Sequence, residues 1–210
     1  AGHGYLLSDF ISPFTNRRND EYGGTTLNRL RIIIDIHNQI RDNLGKSFPI
    51  TIKLITQDFL GMGKGLTLEE GVNITKSLVE VGFDAIEPTS GRTNLRFTDN
   101  KSFPSVIFSS LEDENYFLPN AKALKPVMKD CPLILMGGIR NPLSAEKFLD
   151  EKIADFISMC RPFICEPDLP NRWKNGDLSH PLCTNCNACF GAGMRKNVYC
   201  VLKKKIEKKK

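Results

Sequence analysis

The sequence predicts an α/β fold built from parallel strands. Three observations carry that expectation. Compact, β-branched runs at residues 48–55, 83–88, 132–136 and 154–159 alternate with amphipathic helical runs, the pattern of βα crossover units. The connections between them are long enough to hold a helix, so the strands run parallel rather than folding back as hairpins. Over 210 residues, 25% charged and 40% hydrophobic composition suits a soluble globular domain with a sizeable core.

Residues 25–44 place Leu27, Leu30, Ile33, Ile34, Ile36 and Ile40 at mainly helical spacing, with Thr25 or Thr26 as the cap and Gly45 at the end. The strand at 48–55 follows. Thr67 opens a second helix reaching Val81, with Glu70 placed to complete a capping box. After the strand at 83–88, residues 89–112 are rich in Ser, Thr, Asn and Arg and read as a long loop over an active site. A third helix is expected over 114–129, bracketed or kinked by Pro119 and Pro126. The strand at 132–136 ends in Gly137-Gly138, a helix runs from about Pro142 to Leu149, and the strand at 154–159 ends in Cys160-Arg161. Pattern alone does not separate a doubly wound sheet from half of a (β/α)8 barrel.

The net charge of +5 is local. Residues 203–210 hold six lysines and one glutamate, which accounts for all of it and leaves the rest neutral. A basic body for nucleic acid is therefore not indicated, and the tail reads as a solvated, disordered end. The sequence has no apolar run of bilayer-spanning length and no secretory signal. Cys183, Cys186, Cys189 and Cys200 cluster with spacing C-x2-C-x2-C-x10-C. Without a signal peptide that cluster argues for metal in a reducing, cytoplasmic setting: tetrahedral zinc or a [4Fe–4S] cluster. The expected organisation is a barrel segment at 1–178, a cysteine segment at 179–202 and a basic tail at 203–210.

The chain opens on His3-Gly4-Tyr5-Leu6-Leu7. Gly2 and Gly4 flank His3 and permit a turn that brings imidazole and phenol into one pocket. A surface turn with a stacked aromatic is the other arrangement these residues allow. Further on stand Ser12-Pro13, Asn16-x-Arg18, Asp20-Glu21-Tyr22-Gly23-Gly24 and Asn28-Arg29. Together these closely resemble the old yellow enzyme family of flavin-dependent oxidoreductases, over roughly residues 1–202.

The resemblance implies the C-terminal half of a (β/α)8 TIM barrel, from the end of strand four to strand eight, with a cysteine-rich extension. It implies FMN as cofactor, NADH or NADPH as reductant, and a small enone-like substrate. His3 resembles the second member of a pair that binds the substrate oxygen, and Tyr5 the proton donor. The first member would precede residue 1, so the chain is expected to be part of a longer protein whose N-terminal half completes the barrel. Lys53 stands where the family often has Arg, at the flavin pyrimidine edge; it keeps the charge and loses the bidentate fork. Gly137, Gly138, Cys160 and Arg161 match the FMN phosphate site, with Cys160-Arg161 in place of Gly-Arg. Glu166 to Trp173 also resembles the family: Asp168 is expected to cap a helix and Trp173 to pack, without chemistry. The dienoyl-CoA reductase and trimethylamine dehydrogenase branch binds an iron–sulfur cluster with similar spacing, fed by a nucleotide-binding domain not found in these 210 residues. Two other readings stay open: a non-catalytic half-barrel that binds a partner or metal without flavin, and a metal-dependent nucleic-acid binder.

Overall fold

Thr25 and Thr67 each begin a helix by accepting a backbone N–H, from Asn28 at 3.3 Å and from Glu70 at 3.2 Å. The helices they open are α2 (Thr26–Leu44) and α3 (Leu68–Val81), preceded by a short α1 (Leu6–Ile11) that the sequence pattern does not announce. In this computed structural model residues 1–60, 64–92, 105–108 and 110–208 are described. Most of the long loop expected at 89–112 thus lies outside the described residues.

The capping box expected at Thr67 is only half made. The Glu70 carboxylate turns instead to the Arg29 guanidinium and to Thr26 Oγ1, the latter at 2.8 Å. Arg29 is 6% exposed, and a guanidinium that deep needs an anion more than a helix terminus does. The buried face of α2 is Arg29, Leu30, Ile33 and His37. Leu27 and Ile36, expected within the apolar stripe, are exposed. At helical pitch each lies about a quarter turn off the line through Leu30, Ile33 and His37.

Four strands follow in chain order. β1 (Thr51–Ile55) pairs in parallel with β2 (Ala85–Thr89), Lys53 standing opposite Glu87. β3 (Ile134–Leu135) pairs in parallel with β4 (Phe156–Ile157), and a parallel bridge from Ile86 to Leu133 joins the two pairs. Spatial order therefore follows sequence order, with no reversal of the kind a doubly wound sheet contains. The third and fourth strands are shorter than the expected 132–136 and 154–159. Asp155 Oδ2 takes the Leu133 N–H at 2.8 Å and Lys125 Nζ at 2.5 Å, so a side chain replaces part of the ladder there. The helix expected over 114–129 is confined to α4 (Leu118–Leu124), continued by a 3₁₀ turn at Lys125–Val127. Pro119 suits the first turn of α4, whereas Pro126 cannot donate to continue it.

α5 (Pro142–Asp150) links β3 to β4. Leu30, Ile33, Leu54, Ile74, Leu78, Ile86, Leu124, Leu133 and Leu135 form one continuous core between helices and strands. Beyond β4 come α6 (Arg161–Cys165), α7 (Leu169–Lys174), α8 (Ala188–Arg195) and α9 (Val201–Glu207). Asp168 precedes α7, yet its carboxylate accepts from Asn171 Nδ2 at 2.5 Å rather than from a helix N–H. Trp173 is half-buried and donates Nε1–H to the Ser179 carbonyl at 3.1 Å. The tail expected to be disordered from 203 is helical through Glu207. Lys203 Nζ reaches the Cys165 carbonyl at 3.0 Å, Lys204 lies 4.6 Å from the Tyr199 ring centroid, and lysines in a last turn suit the helix dipole. Among the described residues no helix is long and apolar enough to cross a membrane.

Candidate active site

The four strands face one cavity of about 310 Å³, β1 and β2 through Lys53 and Glu87 in mid-strand and β3 and β4 through the residues just beyond their ends. His3, Tyr5, Lys53, Gly137, Gly138, Cys160 and Arg161 all line it, so seven side chains or backbones singled out in the sequence converge on one place. The volume falls at the lower end of ligand-pocket sizes.

At the N-terminal wall the chain turns on His3 (φ 65°) and Gly4 (φ 80°). Gly2 serves a different purpose from the turn expected of it: a Cβ there would meet Thr89 Cγ2 at 2.7 Å. That close approach lets His3 Nε2 sit 2.7 Å from Thr89 Oγ1, which fixes the orientation of the ring. Burial, and then the charge of Lys53, hold the His3 pKa down to about 4, so the imidazole is neutral at pH 7. Tyr5 begins α1 and is 65% exposed at the cavity mouth.

The His3 shift fixes a pH dependence. Between pH 6.5, its ordinary value, and about 4, the folded protein binds fewer protons at this ring than the unfolded chain does. Its contribution to stability is complete above pH 6.5 and is lost as pH falls toward 4. We expect the urea midpoint of wild type to fall more steeply across that window than the midpoint of His3→Gln. Parallel curves would remove His3 as the cause.

Lys53 lines the cavity as expected but is not a lone cation: its Nζ lies 2.7 Å from Glu87 Oε2. Sequence reasoning passed over Glu87, although an acid within an apolar strand, two residues before Thr89, was the available signal. Gly137 (φ 108°) and Gly138 (φ 77°) make the turn after β3. A Cβ on Gly138 would lie 2.7 Å from Phe108 Cζ and 2.9 Å from the Tyr116 ring, so aromatic rings occupy the space glycine leaves. Tyr116 was also missed. Burial pushes its phenol above the usual range, and Arg161 Nη2 donates to its oxygen at 3.2 Å.

Arg161 carries no ion pair among the described residues; its partners are Tyr116, two backbone carbonyls and the Asn187 amide. An oriented guanidinium with no carboxylate partner among the described residues suits a phosphate, and Lys53, paired with Glu87, lines the same cavity. The residues present fit FMN in this respect.

The four clustered cysteines line a second, small cavity of about 20 Å³ beside Arg161. Their thiols are not drawn into a closed coordination sphere: among the described residues no three Cys, His, Asp or Glu approach closely enough to hold a metal ion. Burial raises the thiol pKa of Cys183 and Cys189. Cys165, outside the motif, is pushed up to about 12 by burial and a hydrogen bond with Cys200.

Comparison with known proteins matches residues 1–179 to the NADH:flavin oxidoreductase / NADH oxidase family. The chain belongs to that family. NADH oxidase of Thermoanaerobacter brockii is 33% identical over 200 residues, covering 94% of this chain and 29% of that protein. A multifunctional alkene reductase/demethylase of Caballeronia cordobensis is 31% identical over 199 residues, covering 92% of this chain and 27% of its own length. A solved 2-naphthoyl-CoA reductase in complex with 2-naphthoyl-CoA superposes with TM-score 0.82 at 28% identity, over 97% of this chain and 30% of that one. The chain thus spans under a third of the length of each. The sequential strand order is consistent with part of a barrel, the fold of the solved structures that match.

Proposed function

We propose that this chain is the segment of an FMN-dependent oxidoreductase that carries the proton donor and the phosphate end of the flavin site. The whole enzyme passes hydride from NADH or NADPH to an activated alkene or similar small acceptor. The observation that carries the proposal is the convergence of His3, Tyr5, Lys53 and Arg161 on one cavity. FMN, when bound, supplies the hydride chemistry. Arg161 and the turn at Gly137-Gly138 would hold its phosphate, and Lys53 would face the ring edge with its charge partly offset by Glu87. His3, neutral and braced by Thr89, offers a hydrogen bond to the acceptor's carbonyl oxygen, where negative charge develops. Tyr5 gives its phenolic proton to the α-carbon. The catalytic gain lies in orienting the acceptor and stabilising enolate character beside the donors that line the cavity.

Family membership and the alkene reductase relative support this reading. The cysteine loop would hold iron–sulfur or zinc only if its four thiols, which line one cavity without closing on it, are drawn together on binding. The test is an anaerobic absorption spectrum with metal analysis of the purified chain after mixing with FMN and desalting. The expected result is a flavin band that stays with the protein at about one equivalent. A colourless protein would favour the non-catalytic half-barrel.

A further inference from the structure

The loop between the cysteines holds the arginine of the cavity. Arg161 Nη1 donates to Asn187 Oδ1 at 2.7 Å, to the Asn185 carbonyl at 3.2 Å and to the Val106 carbonyl at 2.9 Å. Two of these three acceptors lie within the 183–189 loop. Asn187 itself is fixed twice over. It sits in the left-handed region (φ 57°) at the start of α8, and it makes a reciprocal pair with Ser105: Ser105 Oγ donates to Oδ1 at 2.9 Å and Asn187 Nδ2 donates to the Ser105 carbonyl at 2.5 Å. Its neighbour Asn185 is 1% exposed and lines both the large cavity and the cysteine cavity. Among the described residues its Nδ2 has no hydrogen-bond partner.

Each of these acceptors is neutral. A carboxylate in the place of the Asn187 amide would orient Arg161 equally well and cancel its charge. An amide orients it and leaves the charge for an incoming anion. A flexible arginine must otherwise lose side-chain freedom when the anion binds, and holding it beforehand removes that cost.

We propose that Asn187 is a positioning residue for anion recognition, holding Arg161 from the cysteine loop so that the guanidinium serves the phosphate end of the cavity. The proposal rests on the flavin reading above. It makes the anion affinity of the cavity depend on the shape of the loop carrying Cys183, Cys186 and Cys189, two sites that the sequence treats as separate.

The experiment compares FMN with riboflavin, which has the same ring system and no phosphate, by fluorescence titration of wild type, Asn187→Gly, Asn187→Asp and Arg161→Gln. Glycine accepts the left-handed backbone without strain, so Asn187→Gly removes only the amide. The ratio of the two affinities cancels any general loosening of the fold. Wild type should prefer FMN. Asn187→Gly should lose about tenfold in FMN affinity, the scale of one hydrogen bond to a charged group, with riboflavin unchanged. Asn187→Asp should lose more, because it pairs with Arg161. If Arg161→Gln abolishes the FMN preference while both Asn187 variants keep it, the positioning role is overturned and the flavin reading stands. If Arg161→Gln keeps the preference, or wild type binds neither compound, the flavin-phosphate assignment fails and the proposal fails with it.

Discussion

Replacing Tyr5 by Phe should lower alkene reduction by about 100-fold or more, the scale of a lost general acid, while FMN retention and flavin reduction by NADH stay at wild-type levels. Tyr5 is 65% exposed at the start of α1, and no cap hydrogen bond involves its side chain. Removing its hydroxyl therefore leaves the fold within about 0.5 kcal/mol. What disappears is the exposed phenol at the mouth of the cavity, which His3 also lines; Tyr116, the other phenol described there, is buried and holds its oxygen to Arg161. Stopped-flow kinetics separates the two half-reactions of the flavin-loaded protein: the reductive half should be unchanged and the oxidative half slowed. An unchanged oxidative half-reaction would remove Tyr5 from the mechanism and leave water or another acid as the donor.

Arg92→Met should be among the most destabilising single changes in the chain. Arg92 is fully buried and contacts the fully buried Asp58 at 3.2 Å as well as Asp9. Asp58 is also held by Ser12 Oγ and by the Leu66 N–H at 2.8 Å. Methionine fills the space but leaves the Asp58 charge buried without its cation, which costs about 3–5 kcal/mol. Among the described residues Arg92 Nε has no hydrogen-bond partner, which favours the lower end of that range. Urea titration should show the loss directly, with Arg18→Met, which breaks the exposed pair to Asp20, moving the midpoint little. Equal midpoints for the two variants would mean that the buried network contributes nothing net. Arg92 also bridges to His3 through the backbone, so loosening it should disturb the cavity wall.

Much of this molecule was readable from side-chain chemistry and spacing. Thr25 and Gly45 bound α2 because capping is local, and Lys53 and Arg161 reach one cavity because one stands within a parallel strand and the other follows the turn after another. What was unreadable depends on partners far apart in sequence. Glu70 gives up its capping role to Arg29, 41 residues away. Glu87 meets Lys53 only through the β1–β2 register. Asn187 carried a weak sign, an asparagine suited to a left-handed turn, but its grip on Arg161 requires the cysteine loop to fold back on the cavity. The cysteine motif shows the opposite case. Its spacing is conspicuous in the sequence, yet its thiols stand around a cavity without closing on it.

The backbone joint between the two strand pairs is slight: among the described residues it consists of the bridge from Ile86 to Leu133. The cavity lies across that joint, with His3, Lys53 and Glu87 on one side and Gly138, Cys160 and Arg161 on the other. A ligand that touches both sides binds the folded chain and not the unfolded one. Its binding free energy is then shared with cohesion, adding about 2.7 kcal/mol when free ligand stands at a hundred times its dissociation constant. Cofactor supply in the cell would thereby act as a control on how long this chain survives proteolysis, and not only on how fast it turns over.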